Sequence, residues 1–182
     1  MKNYIWFLSF CLILSSCAPS ANSTPSPTEP VVNFPTVSPD TLPFCTTADL
    51  GISSNSTPNS NNLVIGVTFT NKTKTACALS NFPVININDD SGKPLAIRIK
   101  NDKSVQTINQ PTLIGLAPSD NIILSMSWQN YCLQAPIKTI TLQIELAKGK
   151  TIEATVNIAG PPACVSRKDP SVLNITPYSY PP

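Results

Sequence analysis

Apolar residues repeat with period two through the sequence that follows Phe44, and this alternation restricts the fold more than any other feature. Successive side chains of a β-strand point to opposite faces, so a strand with one buried face produces this pattern. No segment after residue 44 has a convincing helical period. We therefore predict an all-β domain over residues 44–182. The apolar positions of the clearest runs are Leu63, Ile65, Val67 and Phe69; Ile85 and Ile87; Leu95, Ile97 and Ile99; Ile122, Leu124, Met126 and Trp128; Ile140, Leu142, Ile144 and Leu146; and Ile152, Ala154, Val156 and Ile158.

Two hairpins follow from parity, because residues opposed across a strand pair must share a face. Pairing Ile87 with Leu95 leaves a short loop in which Gly92 can take the left-handed conformation. Pairing Leu146 with Ile152 leaves a loop of the same kind. These loops are Asp90-Ser91-Gly92 and Lys148-Gly149-Lys150.

A longer, proline-broken connection near Gln110 to Pro118 interrupts the series of hairpins. A meander with one such crossing predicts a two-sheet antiparallel immunoglobulin-like β-sandwich. A closed barrel is the alternative. We also expect a last strand at Ser171 to Ile175, after which the Pro/Tyr-rich tail either caps a sheet edge or contacts a partner.

The N-terminus has the pattern of a secretion signal. Lys2 provides a positive charge, and the apolar run Tyr4 to Leu14 is too short to span a bilayer. Leu14-Ser15-Ser16-Cys17 resembles the lipobox of bacterial lipoproteins, in which the cysteine receives a diacylglycerol and becomes the first residue. We predict that residues 1–16 are a helical signal peptide and that Cys17 is lipidated. An ordinary signal peptide cut near Ala18, or an uncleaved helix, is the alternative.

Residues 17–43 form the second predicted region, which begins with Cys17 and continues as a linker. Seven prolines lie between Ala18 and Pro43, among Ser, Thr, Asn and Ala. Such a composition cannot bury a core, so we predict a disordered, semi-extended tether. A proline motif that binds a partner is the alternative to a plain spacer.

Four cysteines remain once Cys11 is removed with the signal and Cys17 is lipidated: Cys45, Cys77, Cys132 and Cys164. An even set in an oxidising compartment predicts two disulfides. A zinc site is disfavoured because the chain has no His and no close Cys-x-x-Cys spacing. The strand order brings the first two cysteines together and the last two together, which predicts the pairs Cys45–Cys77 and Cys132–Cys164. Each closes a loop of about thirty residues, worth about 3–4 kcal/mol.

Several short motifs carry a family resemblance. They are Cys45-Thr46-Thr47-Ala48-Asp49-Leu50, Phe69-Thr70-Asn71-Lys72-Thr73, Cys77-Ala78-Leu79-Ser80-Asn81-Phe82-Pro83-Val84, Leu116-Ala117-Pro118-Ser119-Asp120, Trp128, Cys132 and Cys164. In this order they resemble the domain of unknown function 4232 family of secreted and lipoprotein domains, over roughly Phe44 to Val165. The resemblance implies export and a sandwich, and it supplies no catalytic residue. Asn81-Phe82-Pro83 replaces the family's usual Gly-Tyr-Pro, and Pro118-Ser119 its Pro-Gly, which affects the expected turn geometry.

The absence of His excludes Ser-His-Asp and Cys-His mechanisms. Paired carboxylates are the remaining enzymatic route, and the predicted register opposes Glu145 and Glu153. Lys148 and Lys150 stand nearby, so a solvated hairpin face is the better interpretation. Asp89 and Asp90 have the chemistry of a turn and lack the spacing of a calcium loop. We predict no enzyme, no metal site and no cofactor.

A basic run offers a possible binding site. Arg98, Lys100 and Lys103 are its candidate residues, with Arg98 and Lys100 on the outer strand face, where they could meet an anionic wall polymer or simply protect a strand edge. We expect Tyr131 to be exposed and to be a further binding candidate, and Trp128 to be core. The net charge of +2 gives no indication of a nucleic-acid partner.

Together these patterns predict a lipid-anchored cell-envelope protein whose β-domain binds an envelope protein or a wall polymer without catalysis. Its partner at the membrane is lipid, through acylated Cys17, and its location is extracytoplasmic, on the outer membrane if the organism has one. The alternatives are a glycan hydrolase that uses surface carboxylates and a structural spacer without a specific ligand.

Overall fold

Ten β-strands and one turn of 3-10 helix make up the regular structure of the described residues. The computed structural model describes residues 39–80, 82–101, 113–132, 136–147 and 149–181, which belong to one compact unit, Pro35–Pro182. The predicted signal peptide, Cys17 and most of the tether lie outside these residues. The elements are the 3-10 turn Pro39–Thr41 and strands β1 Leu50–Asn59, β2 Asn62–Asn71, β3 Cys77–Ser80, β4 Ile85–Asn88, β5 Arg98–Asn101, β6 Leu113–Leu116, β7 Asn121–Gln129, β8 Thr139–Ala147, β9 Lys150–Asn157 and β10 Val172–Ile175.

The strands form three sheets. The largest has the order β1-β2-β7-β10-β5, a second has the order β4-β8-β9, and β3 pairs with β6. All pairs are antiparallel except β5 with β10, where Arg98 pairs with Val172 in a parallel register. The all-β prediction is confirmed, whereas the purely antiparallel prediction is wrong at this edge.

None of the helical segments in the described part of the chain has the length and apolarity needed to cross a membrane.

One apolar core lies beneath the inner faces of the strands. The alternating residues predicted for β2, β7, β8 and β9 are buried, and Phe69, Trp128 and Leu142 are fully enclosed. They belong to a single cluster with residues of β4 and β10. Burying one side of each strand removes apolar surface from water, which contributes about 25 cal/mol per Å². The period-two pattern therefore identified the core of these strands correctly, whereas the predicted run of Leu95, Ile97 and Ile99 is not part of the core, since Ile99 is 38% exposed.

The first hairpin prediction is correct at its turn and wrong beyond it. Leu95 N donates to Ile87 O at 2.9 Å, and Gly92 has φ 80°, as the parity argument predicts. A tight turn follows, in which Ile97 N donates to Leu95 O at 2.9 Å. This bond bends the chain away from β4 and delivers the next residues to the other sheet as β5.

The second hairpin differs from its predicted register by two residues. Ile152 pairs with Ile144, not with Leu146. A β-bulge between Glu145 and Ala147 adds one residue to β8, so that Leu146 and Ala147 are both buried. Ala147 then pairs with Lys150 across a two-residue loop, where Gly149 has φ 77°.

The two ends of the long crossing and the tail contain further structure. The crossing ends in β6, which the proline-broken sequence did not indicate, and Leu116 pairs with Cys77 of β3. The predicted last strand is confirmed as β10. After it, Ser179 forms an antiparallel bridge with Ile123, and Tyr178 is buried edge-on against Phe69 with ring centroids 5.6 Å apart. The tail therefore pairs with β7 beyond the end of β10, in agreement with the edge-capping prediction.

Both disulfides pair as predicted, Cys45 with Cys77 and Cys132 with Cys164. The first lies beside a backbone hydrogen bond from Cys45 N to Ala78 O, so its two segments are already neighbours. The second joins the chain before β8 to the chain after β9. Antiparallel pairing of β8 and β9 brings these segments to the same end of the hairpin.

Candidate binding site

A cleft lies at one end of the five-stranded sheet, over β5 and β10. Its volume is about 470 Å³. The walls come from the turn between β1 and β2, the end of β7, the segment before β10, and β5. The lining residues are Asn61, Asn62, Arg98, Lys100, Gln129, Asn130, Val165, Asp169, Pro170 and Val172.

A second cleft of about 340 Å³ adjoins the first, because Asn130 and Asp169 line both. Tyr131, Arg167 and Ser171 contribute to its wall, together with the hydrophobic stretch before β5. The two clefts therefore bring together three of the four binding candidates from the sequence, Arg98, Lys100 and Tyr131. Lys103 lies outside the described residues.

Strand register explains why the polar side chains meet at the first cleft. Arg98, Val172, Gln129 and Asn62 are consecutive partners across β5, β10, β7 and β2. The strand neighbours of Val172, Gln129 and Asn62 are Leu173, Trp128 and Leu63, which are at most 1% exposed. Alternation consequently directs Val172, Gln129 and Asn62 outward, on the face opposite the core. Arg98 is their partner on β5, a strand whose four residues are all exposed.

Asn130 shapes the segment between the two clefts. It has φ 57°, in the left-handed region that Asn tolerates better than most residues. Its Nδ2 donates to Ser166 O at 2.8 Å and to Asp169 O at 2.7 Å, while its Oδ1 accepts from Val165 N and Ser166 N, both at 2.9 Å. Because these bonds use both ends of the amide, Asn130 positions the loop that carries Arg167 and Asp169.

Tyr131 differs from its predicted exposure. It is only 5% exposed, and its ring packs edge-on against Trp128 with centroids 5.2 Å apart. Burial raises the pKa of the Tyr131 hydroxyl above its ordinary value. Packing beside the disulfide-linked segment encloses the ring, which makes Tyr131 part of a wall of the second cleft and not an exposed stacking surface. Trp128 is core, as predicted, and its Nε1 donates to Ser171 Oγ at 2.7 Å.

The electrostatic character of the first cleft is cationic. Arg98 and Lys100 project from alternate positions of β5, and Asp169 is the only carboxylate among the described lining residues. Both cations are exposed. An Arg guanidinium and a Lys ammonium can each bind a carboxylate or phosphate, the Arg through two parallel hydrogen bonds. Amide side chains from Asn61, Asn62 and Gln129 add both donors and acceptors.

The carboxylates considered for catalysis do not form the predicted pair. Glu145 is opposite Thr151 and Glu153 is opposite Gln143, because the bulge shifts the register. A Glu145 side-chain oxygen accepts from Gly149 N at 2.9 Å, and Glu153 accepts from Gln143 Nε2 at 3.2 Å. The prediction that Glu145 lies opposite Glu153 is therefore wrong.

The described part of the chain contains no group of three His, Cys, Asp or Glu side chains that could hold a metal ion. Asp89 has the turn role expected of it. Its Oδ1 accepts from Ser91 Oγ at 2.7 Å, Lys93 N at 2.8 Å and Ser91 N at 2.9 Å. These bonds, above all the one from the Ser91 hydroxyl, hold the pKa of the Asp89 carboxyl below its ordinary value.

Sequence reasoning missed most of the amides of the first cleft. Gln129 followed the predicted β7 alternation and could have been placed on the outer face. Asn62 and Asp169 had no such signal, because their positions depend on which strands become neighbours. Asn130 could not be identified because its role depends on contacts with a loop 35 residues later.

Three β-sheets and two disulfides make up the described all-β domain. Disulfides are typical of proteins from oxidising compartments. Residues 45–178 match the family model described as Domain of unknown function (DUF4232), and the chain belongs to that family. This confirms the resemblance seen in the cysteine-centred motifs. No curated protein and no solved structure matches the chain.

Proposed function

We propose that this protein is a lipid-anchored, extracytoplasmic binding protein whose immunoglobulin-like β-sandwich binds an anionic component of the cell envelope without catalysis. Two disulfides support the location, since they persist in oxidising compartments. The lipobox resemblance at Cys17 supports the anchor. Acyl chains on Cys17 would hold the protein at the membrane, so its β-domain needs no membrane-binding surface of its own.

The first cleft carries the proposal for binding. Arg98 and Lys100 lie two residues apart on an exposed strand, surrounded by amides and only one carboxylate among the described lining residues. Exposed charges of one sign attract a ligand of the other sign, and this attraction weakens as salt increases. An envelope polymer or protein that presents carboxylate or phosphate groups fits this surface.

Retention on washed envelope preparations tests the binding proposal. We expect the processed full-length protein, kept in detergent micelles that hold its acyl chains, to be retained on delipidated envelope preparations at 50 mM NaCl and released as NaCl is raised. The double substitution Arg98→Gln with Lys100→Gln should abolish retention. Lys72→Gln with Lys74→Gln is the matched control, because it removes the same charge just beyond Asn71, the opposite end of β2 from Asn62. Retention of the Arg98/Lys100 variant equal to the wild type would contradict the proposed site.

Mass spectrometry of the mature N-terminal peptide tests the anchor separately. We expect a peptide that begins at Cys17 and carries acyl chains. Cys17→Ser should remove this modification and prevent cleavage at the lipobox. An unmodified mature N-terminus near Ala18 would leave the binding cleft in place and refute the lipid anchor.

The proposal that the protein is not an enzyme rests on the positions of the carboxylates of Glu145 and Glu153. Glu145 and Glu153 hydrogen bond to different groups and are not cross-strand partners. We expect Glu145→Gln to change no glycan-cleaving activity of the purified protein. A structural spacer is the remaining alternative, and it would be favoured if deletion altered envelope integrity while the purified protein bound no envelope component.

A further inference from the structure

The first cleft continues into a wide polar surface on the outside of the five-stranded sheet. Cross-strand register arranges this surface in rows. We define the polar sheet face by three of them. The first row is Asn59, Asn62, Gln129, Val172 and Arg98; the second is Thr57, Val64, Ser127, Asn174 and Lys100; and the third is Asn55, Gly66 and Ser125.

Amides and hydroxyls dominate the polar sheet face. Its charges, Arg98 and Lys100, both lie on β5, and its three rows contain no carboxylate and no aromatic ring. The cores of protein–protein interfaces are enriched in aromatic residues, Met and Arg, so this face lacks their characteristic composition. Amides donate and accept hydrogen bonds simultaneously, as do the hydroxyls of a sugar.

A close approach of Asn55 to Gly66 keeps the surface of the third row flat. A Cβ added at Gly66 would lie 2.5 Å from Asn55 Oδ1, so the amide of Asn55 occupies the space that a side chain at residue 66 would need. Glycine within a strand often marks a site where another group approaches the backbone. Here the approaching group is an amide that lies across the sheet, and the face has little relief at this point.

The dimensions of the face suit an extended ligand. Five strands spaced about 4.8 Å apart span about 19 Å from β1 to β5. The first and second rows are neutral at the β1 end and cationic at the other, because Arg98 and Lys100 are both at the β5 edge. A ligand that matches this surface has many hydroxyls along its length and acidic groups that reach the β5 edge.

We propose that the polar sheet face binds one extended chain of an acidic polysaccharide, with sugar hydroxyls on the amides and hydroxyls of β2, β7 and β10 and an acidic group on Arg98 and Lys100. This inference rests on the proposed function, whose anion site it extends. Charge complementarity selects an acidic chain, and the density of neutral donors and acceptors selects a polyhydroxylated one.

Three polymers of different chemistry test the inference on the processed full-length protein in detergent. Polygalacturonate carries both carboxylates and hydroxyls, dextran carries hydroxyls alone, and polyglutamate carries carboxylates alone. We expect polygalacturonate to bind at least about tenfold more tightly than either of the others, and its oligomers to bind more tightly as they lengthen towards the width of the sheet. Polyglutamate binding as tightly as polygalacturonate would overturn the inference, since charge alone would then suffice.

Substitutions within the face give a second test. Asn174→Ala with Ser127→Ala should weaken polygalacturonate binding by roughly 5–30-fold while leaving polyglutamate binding unchanged. The matched control is Thr151→Ala with Thr155→Ala, on the exposed side of β9. An unchanged affinity of the Asn174/Ser127 variant for polygalacturonate would overturn the inference.

Two substitutions of opposite charge at Val64 give a test that does not depend on a loss of folding. Val64 is 37% exposed in the second row, so either charged side chain can be accommodated at the surface. Val64→Glu should weaken polygalacturonate binding and Val64→Lys should preserve or strengthen it. Equal effects of the two substitutions would overturn the inference. Loss of envelope retention in the Arg98/Lys100 variant would still support the anion site, so the two proposals fail separately.

Discussion

Asn130 and Ser166 are joined by two hydrogen bonds, although they are 36 residues apart in the sequence. Asn130 Nδ2 donates to Ser166 O at 2.8 Å, and Asn130 Oδ1 accepts from Ser166 N at 2.9 Å. One side chain therefore satisfies both polar groups of a single peptide backbone position. This arrangement fixes the loop that separates the two clefts.

Asn130→Ala should lower the free energy of unfolding by about 2–4 kcal/mol. It would leave the partly buried amides of Val165 and Ser166 without their acceptor and place alanine in the left-handed region. Asn130→Gly is the informative comparison, because glycine loses the same bonds without the backbone strain and should be about 1 kcal/mol more stable than the alanine variant. Urea unfolding measures both; equal stability of wild type and Asn130→Ala would contradict the role assigned to the side chain.

Tyr178→Phe should raise the free energy of unfolding by about 1 kcal/mol. The Tyr178 hydroxyl is buried and has no hydrogen-bond partner among the described residues. Burial raises the pKa of this hydroxyl far above its ordinary value. Phenylalanine would keep the edge-on packing against Phe69 and remove the unsatisfied group.

Tyr180→Phe is the control for this substitution and should have the opposite sign. Tyr180 donates its hydroxyl to Gly115 O at 2.5 Å, at a position that is 43% exposed. Loss of this bond should cost about 0.5 kcal/mol. Denaturation curves measure the stability of both variants. If Tyr178→Phe proved less stable than Tyr180→Phe, the conclusion that the Tyr178 hydroxyl destabilises the fold would be wrong.

Asp49 should make the stability of the domain depend on acid pH. Thr46 Oγ1 and Thr46 N both donate to Asp49 Oδ2 at 2.7 Å, and these bonds, the hydroxyl first, hold the pKa of the Asp49 carboxyl below its ordinary value of about 4. Because the folded-state pKa is the lower one, the stabilisation is present above pH 4 and is lost as the pH falls through the folded-state pKa. Asp49→Asn should cost about 1 kcal/mol at pH 7 and much less at pH 2.

An NMR titration measures the Asp49 carboxyl directly. Thr46→Val should raise its pKa towards the ordinary value, because the strongest donor is removed while the backbone donor remains. An Asp49 carboxyl that titrates at or above pH 4 in the wild-type protein would exclude this source of pH dependence.

The two disulfides should differ in their reactivity with a soluble reductant. Cys45 and Cys77 are at most 5% exposed, whereas Cys164 is exposed. Under native conditions we expect the Cys132–Cys164 bond to be reduced first, as followed by alkylation and peptide mapping. Removal of either bond as a Cys-to-Ala pair should cost about 3–4 kcal/mol, because both span 32 residues. Equal reduction rates of the two disulfides would contradict the order expected from the exposure of their cysteines.

Local patterns predicted the core and the disulfides well, because both depend on alternation and on the ends of neighbouring strands. Phe69 and Trp128 were placed correctly by period two alone. The bulge at Glu145 escaped prediction because parity allows registers that differ by two residues, and only packing of Leu146 and Ala147 selects one. The parallel pairing of Arg98 with Val172 escaped it because sequence periodicity contains no information on which distant strand becomes a neighbour.

The same distinction applies to the candidate site. Arg98 and Lys100 could be assigned to an outward strand face from their spacing, but the amides that surround them come from the turn between β1 and β2, from β2, and from the end of β7. Tyr131 was misplaced because a single aromatic residue beside a cysteine has no periodicity, and its burial depends on the ring of Trp128.

Strands β1 and β9 belong to different sheets, yet they lie side by side through serine hydroxyls. Ser54 Oγ donates to Thr155 O at 2.6 Å and Ser56 Oγ donates to Asn157 O at 2.8 Å. Two strand edges that could otherwise recruit strands from another molecule are thereby covered by each other. At the opposite end of the large sheet, the short β5 edge carries two repelling cations. Many copies of the chain could therefore crowd together on a surface and remain separate molecules, without polymerising edge to edge.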